Sequence, residues 1–205
     1  GYIDTPGPSS LNELWNGTSW TEVNNLNTAR YNHAGAGTTT AGLSFGGNTG
    51  SVTAINESWN GTSWTETADL NTARDAMAGA GISTAALSIA GTPSPTTIVE
   101  QWDGSSWTEV GDLNTGRSNP GGAGTVTAAV TFGGSEPSPG RTANTEVWDG
   151  SSWTETGNLA VARNNMAHAG TQDAALSGGG NAATALSVVT EEFTYGAAAS
   201  SVTAS

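Results

Sequence analysis

Three observations predict an all-β fold of radially repeated four-stranded blades, a β-propeller. Trp15, Trp59, Trp102 and Trp148 recur at spacings of 44, 43 and 46 residues, and Trp20, Trp64, Trp107 and Trp153 recur in step with them. Four of the five arginines, Arg30, Arg74, Arg117 and Arg163, follow the same period. The periods are also punctuated by Asn-Gly or Asp-Gly and, in all copies but the second, where Ala90-Gly91 stands, by paired glycines. A repeat of this length marks one supersecondary unit copied several times, and four short strands fit into it.

The first strand of the unit is a Gly/Ala-rich segment, His33 to Thr40 in one copy and Ala78 to Thr84 in the next. Its small side chains suit a strand crowded near a central axis. The second is a short apolar run, Gly42 to Phe45, Ala86 to Ile89 and Ala129 to Phe132. The first of these precedes Gly46-Gly47, which permits a turn closed to most residues. The third carries Glu57-Ser58-Trp59, with Glu13, Glu100 and Glu146 at the matching positions. The fourth opens on the second tryptophan, as in Trp107-Thr108-Glu109-Val110, where alternation of apolar and polar residues is the mark of a half-buried strand.

Between strands three and four stand Asn16-Gly17, Asn60-Gly61, Asp103-Gly104 and Asp149-Gly150. These dipeptides favour the centre of a tight hairpin in which both residues take positive φ. The tryptophans flanking each turn are expected to present apolar faces to a neighbouring blade, with their indole N–H groups seeking acceptors.

On these residues the chain resembles a kelch-type β-propeller. The resemblance rests on the Gly-Gly after the second strand, the aromatic third strand, the Trp opening the fourth and the Arg before the next first strand, and it covers about residues 11 to 195. The wording Asn71-Thr72-Ala73-Arg74 followed by Ala78-Gly79-Ala80-Gly81 also resembles kelch-like repeats in virion and tail proteins of marine bacteriophages. That second resemblance implies a structural or adhesive role in a virion or on an extracellular surface, without catalysis.

The copy number is uneven. Outer hairpins are read at Leu11 to Leu26, Asn56 to Leu70, Val99 to Leu113 and Thr145 to Leu159. A fifth, altered one is read at Glu191-Glu192-Phe193 with Ser200 to Thr203. The inner pair of strands occurs four times. The expected single domain over residues 1–205 therefore has a half-blade at 11–26 and units at 30–70, 74–113, 117–159 and 163–205. Five blades are favoured, with one lacking its usual inner strands and Tyr2 to Thr5 standing in for one of them. Four blades are the alternative, with the amino-terminal hairpin closing the last. An unpaired edge recruiting another subunit is a third arrangement, because open strand edges are templates for pairing.

Composition narrows the function. With 18 acidic residues, five arginines, no lysine and a net charge of −13, the surface repels nucleic-acid phosphates. No run of 18 apolar residues predicts a membrane-spanning helix, and Gly1 to Ser10 shows no signal-peptide pattern. The absence of cysteine excludes disulfides and thiolate metal sites.

No catalytic, cofactor or metal site is expected. His33 and His168 occupy inequivalent repeat positions without companion ligands, and the adjacent Glu191 and Glu192 point to opposite faces of a strand. A serine nucleophile needs a base and an orienting acid, and no Gly-x-Ser-x-Gly elbow is present. The candidate functional residues are therefore the repeat positions themselves. Arg30, Arg74, Arg117 and Arg163 are read either as a ring holding an anionic ligand or as blade clasps, each pairing with a glutamate such as Glu22, Glu66, Glu109 or Glu155. Arg141 is read as a solvated loop residue. The eight tryptophans are the aromatic positions of the repeat. Expected partners are proteins or further copies of the chain. The alternative is a glycan bound at shallow repeated sites with multivalent avidity.

Overall fold

The computed structural model describes residues 7–94, 96–138, 140–183, 186–195 and 201–204. Its regular elements are all strands. They run β1 (Asn12–Trp15), β2 (Trp20–Val23), β3 (Ala34–Thr38), β4 (Ala41–Phe45), β5 (Asn56–Trp59), β6 (Trp64–Glu66), β7 (Ala78–Ile82), β8 (Ala85–Ile89), β9 (Val99–Trp102) and β10 (Trp107–Glu109). Then follow β11 (Gly121–Thr125), β12 (Ala128–Phe132), β13 (Thr145–Trp148), β14 (Trp153–Glu155), β15 (Arg163–Asn164), β16 (Ala167–Gly170), β17 (Ala174–Gly178), β18 (Asn181–Ala182), β19 (Thr190–Thr194) and β20 (Ser201–Ala204).

Four antiparallel four-stranded sheets form the blades of a propeller: β3-β4-β5-β6, β7-β8-β9-β10, β11-β12-β13-β14 and β16-β17-β19-β20. The hairpin β1-β2 stands before them as a separate two-stranded sheet, and β15 pairs with β18 as a short ribbon. Successive inner strands β3, β7, β11 and β16 pack side by side in chain order. The altered last copy is a true outer hairpin, with Phe193 opposite Val202. The amino-terminal hairpin therefore does not complete the fourth blade. The segment Tyr2 to Thr5 lies outside the described residues.

Period-two alternation decides how blades pack. In β4, Leu43 and Phe45 face the second blade and join Met77, Ala86, Trp102 and Trp107 in one buried cluster, with Phe45 and Trp107 ring centres 4.9 Å apart. The next interface repeats the arrangement with Leu87 and Ile89 against Trp148 and Trp153. The third sets Val130 and Phe132 against Phe193. The tryptophan pairs of the second and third blades are thus each covered by the second strand of the blade before.

The inner strands touch so closely that a side chain would collide. A Cβ at Gly79 would lie 2.4 Å from the Gly35 carbonyl oxygen, and one at Gly122 would meet the Ala78 Cβ at 2.9 Å. Glycine allows this backbone approach. The expectation that nothing bulky sits on the first strand fails in the fourth blade, where His168 takes this place and packs edge-on to Phe132 at 6.5 Å. All four residues of β16 are correspondingly exposed.

The turns depart from the expected two-residue type. Trp15 pairs with Trp20 across four intervening residues, as do Trp59 with Trp64, Trp102 with Trp107 and Trp148 with Trp153. Asn60 does not take positive φ; its side-chain oxygen accepts the N–H groups of Thr62 and Ser63, both at 2.9 Å. Only the following Gly61 takes positive φ, at 93°. The side chain of Asn or Asp caps the loop, a use of these residues as favourable as left-handed backbone.

Candidate functional site

The four repeat arginines lie inside the blades, fully buried. The backbone N–H of Arg74 is anchored to the Thr53 carbonyl at 3.3 Å, and its guanidinium reaches inward between the second and third strands. There Nη1 donates to the carbonyls of Ala90 at 2.6 Å and Ile98 at 2.9 Å. Nη2 meets Glu100 Oε1 at 2.9 Å. Arg30 pairs likewise with Glu57 at 3.2 Å, Arg163 with Glu191 at 2.9 Å, and Arg117 with Glu146.

The partners are thus third-strand glutamates, not Glu22, Glu66, Glu109 or Glu155. Glu57 and Glu66 are register partners and share a face, but Glu66 lies one strand further out, where it is exposed.

Each carboxylate also reaches back to the preceding blade. Glu100 accepts the Asn71 N–H at 2.7 Å and the Asn71 side-chain amide at 2.8 Å. Glu57 takes Asn27 at the same two distances, and Glu146 takes Asn114 at 2.8 Å twice. The same amides donate to the carbonyls of Trp64, Trp107 and Trp153. In the last copy Ala160 replaces asparagine and supplies only its N–H, at 2.6 Å. The Leu-Asn-Thr-Ala-Arg wording therefore encodes one knot: asparagine ties the incoming chain to the glutamate, and arginine neutralises that glutamate. The sequence reading misses asparagine as a functional position, although it recurs in three of the four copies that carry the arginine.

Burial draws the guanidinium pKa of Arg30, Arg74 and Arg117 down, and the facing carboxylates of Glu57, Glu100 and Glu146 oppose that pull. A charge held this way, with its terminal guanidinium nitrogens committed to carbonyls and one carboxylate and the unpartnered Nε of Arg30, Arg74 and Arg163 itself buried, presents nothing to a ligand.

The tryptophans divide into two sets. The third-strand indoles of Trp59, Trp102 and Trp148 donate to the carbonyls of Thr39, Ser83 and Val126 at 3.0, 3.1 and 2.9 Å. They thereby pin the tip of the inner hairpin to the outer one. Trp107 and Trp153 on the fourth strands are buried against the preceding blade. Trp15 and Trp20 have no such cover and are 44% and 65% exposed.

Among the described residues two openings are large enough to take a ligand. At one end of the axis a cavity of about 230 Å³ is lined by Asn32, His33, Ala76, Met77, Asn119 and their fourth-blade equivalents. The rim is knitted by Ala76 N–H to the Asn32 carbonyl, Asn119 to Ala76 and Asn165 to Asn119. Within it the His33 pKa is pushed down to about 4, by desolvation first and by Arg30 second. The larger opening, about 420 Å³, is a groove between β1 and the first blade, walled by Trp15, Trp20, Trp59 and Trp64 with Asn12 and Glu13 on its margin. No cluster of three metal-ligating side chains occurs among the described residues, and no described helix is long and apolar enough to cross a membrane. Arg141 is exposed.

The geometry defines a four-bladed β-propeller whose repeated charged residues are buried in blade clasps. In agreement, the chain is similar to the solved structure titled "Structure of YjhT", with a TM-score of 0.76 and 12% identity over 90% of this chain and 72% of that one. No family model matches the sequence, and no curated protein does.

Proposed function

We propose that this propeller is a non-enzymatic structural or adhesive module of a virion or extracellular surface assembly, working through protein contacts. The observation that carries the reading is the exposed pair Trp15 and Trp20. In the second and third blades the repeat buries this pair against the preceding blade, so the half-blade presents an interface of the molecule's own kind to the outside. Large exposed aromatic faces rimmed by polar residues mark protein interaction sites. The arginines, which the sequence offers as a ligand ring, are consumed by the clasps with their glutamate and asparagine partners. The kelch-like wording of the repeat accords with such a module.

Sedimentation velocity across a concentration series, with electron microscopy of the same samples, tests the proposal. Concentration-dependent assembly that Trp20→Ser weakens is expected. A chain that stays monomeric at every concentration, and on which Trp20→Ser has no effect, overturns it.

The groove favours one second reading, a carbohydrate site, because its four tryptophans and the polar groups of Asn12 and Glu13 match the stacking and hydrogen-bonding needs of a sugar ring. Titration with neutral and acidic oligosaccharides while following tryptophan emission separates the two readings.

A further inference from the structure

We propose that β1 and the back of the first blade form a receptor for one inner β-hairpin of this same repeat, with an arginine that seats on Glu13. The proposal deepens the protein-contact reading by naming the partner, and it rests on four vacancies in a pattern that the other blades fill.

The first is a charge. Glu57, Glu100, Glu146 and Glu191 are buried, each against an arginine 26 to 29 residues earlier in the chain. Glu13 holds the same position on β1, opposite Glu22 as Glu57 is opposite Glu66, yet it is exposed and has no ion pair among the described residues.

The second is a pair of backbone groups. The carbonyls of Arg74, Arg117 and Arg163 accept N–H groups from Gly47, Gly91 and Gly134 of the preceding blade, at 2.9 to 3.0 Å. The N–H of Ala76 and Asn119 likewise reach carbonyls of the preceding blade. At the first blade, the Arg30 carbonyl and the Asn32 N–H have no such partner among the described residues.

The third is a surface. Gly79 and Gly122 are pressed against the blade before them, whereas a Cβ on Gly35 would meet only its own blade, the Leu43 carbonyl at 3.1 Å. The fourth is the groove itself. Trp59 and Trp64 form one of its walls, and their equivalents Trp102 and Trp107 are covered by Leu43 and Phe45 of an inner hairpin.

One occupant meets all four demands. It is a hairpin with a small-residue first strand and a second strand of the Ala-Leu-Ser-Ile type, led by arginine and closed by Gly. Its second strand would pair with the open edge of β1, and its arginine would reach Glu13 and the Leu11 carbonyl, as Arg74 reaches Glu100 and the Ile98 carbonyl. This is strand addition with side-chain pockets setting specificity.

A peptide of residues Arg74–Thr92 added to the intact chain is the probe. Saturable binding that shields Trp64, by the hairpin's second strand, and Trp15, by the hairpin's tip as the Thr39 tip covers Trp59, from acrylamide quenching is expected, weakened about tenfold or more by Glu13→Gln in the chain or Arg74→Met in the peptide, because either change strands a buried charge. Isolated hairpins are marginal in water, so a covalent version decides the case if the free peptide stays unfolded. Residues 74–95 are placed directly ahead of Ser9, where Ser9 and Ser10 correspond to Thr96 and Thr97. The graft should raise Tm and bury Trp15 and Trp64, and Glu13→Gln in the grafted chain should cancel the gain.

A graft that leaves Tm and quenching unchanged, or a gain that survives Glu13→Gln, overturns the proposal. If the native amino-terminal hairpin instead displaces β19-β20 from its own fourth blade, both probes fail in the same way. A working graft on a chain that never assembles would refute the assembly role while leaving the receptor intact.

Discussion

At the residue scale the dominant effect is burial of charge. Arg74 and Glu100 are both removed from water, and two such ions recover the cost of leaving it only when the carboxylate and the terminal guanidinium nitrogens are matched; of the guanidinium, Nε alone goes without a partner. Glu100 meets this with Asn71, Thr72 and Arg74. Breaking the set on one side leaves the other charge stranded. Arg74→Met or Glu100→Gln alone should therefore destabilise by about 3–5 kcal/mol, while the double substitution should cost less than the sum. Urea unfolding of the three variants checks this, and additive losses would refute the coupling. Asn71→Ala keeps the charges paired and removes two bonds, to Glu100 and to the Trp107 carbonyl, so a smaller loss of about 1–3 kcal/mol is expected.

His33 adds a pH dependence at the same scale. Above about pH 6.5 it is neutral both in the folded chain and in the unfolded one, and it contributes nothing. As the pH falls toward 4, the unfolded chain takes up a proton that the folded chain refuses, so stability drops across that window. His33→Gln should flatten the acid limb of the Tm profile between pH 6.5 and 4. Parallel profiles for the two proteins would show that the carboxylates alone set the slope.

At the element scale, what was legible depended on whether the signal was local. Asn60-Gly61 marks its hairpin because the loop is closed by its own side chain, and the strands on either side follow from alternation. The choice between Glu57 and Glu66 as partner of Arg30 was not legible, since both lie on one face and only the strand order of the folded blade separates them. The same limit hid His168: its position on β16 matches Gly79 and Gly122, but its consequence depends on how near β11 comes. The glycine of β7 gives a direct test. A methyl at Gly79 would press on the backbone oxygen of Gly35, which no rotamer change relieves. Gly79→Ala should cost about 1–3 kcal/mol, measured by thermal unfolding. Gly50→Ala, at a turn with open space around its Cβ site but φ of 115°, should cost about 1–2 kcal/mol through backbone strain alone. Equal tolerance of both would mean that the inner strands sit further apart than described.

At the scale of the whole molecule, the propeller has unlike ends. The front of the fourth blade exposes Leu176, at 50%, whereas its equivalents Leu43, Leu87 and Val130 are buried. The half-blade exposes Trp15 and Trp20. Inside the chain these are the two halves of one interface, so the proposed protein-contact reading predicts front-to-back contact between copies, a heterologous contact that generates rings or filaments. Opposing it is a net charge of −13, which every copy carries. Screening shortens the reach of that repulsion from about 30 Å at 0.01 M salt to about 8 Å at 0.15 M, while leaving apolar contacts intact. Assembly should therefore strengthen as salt is raised from 0.01 to 0.15 M, and Trp20→Ser or Leu176→Ser should weaken it at every salt concentration. Light scattering over that range, repeated on both variants, is the measurement. Assembly that weakens with salt would instead place ion pairs at the contact, and assembly indifferent to both substitutions would move the contact away from the two open ends.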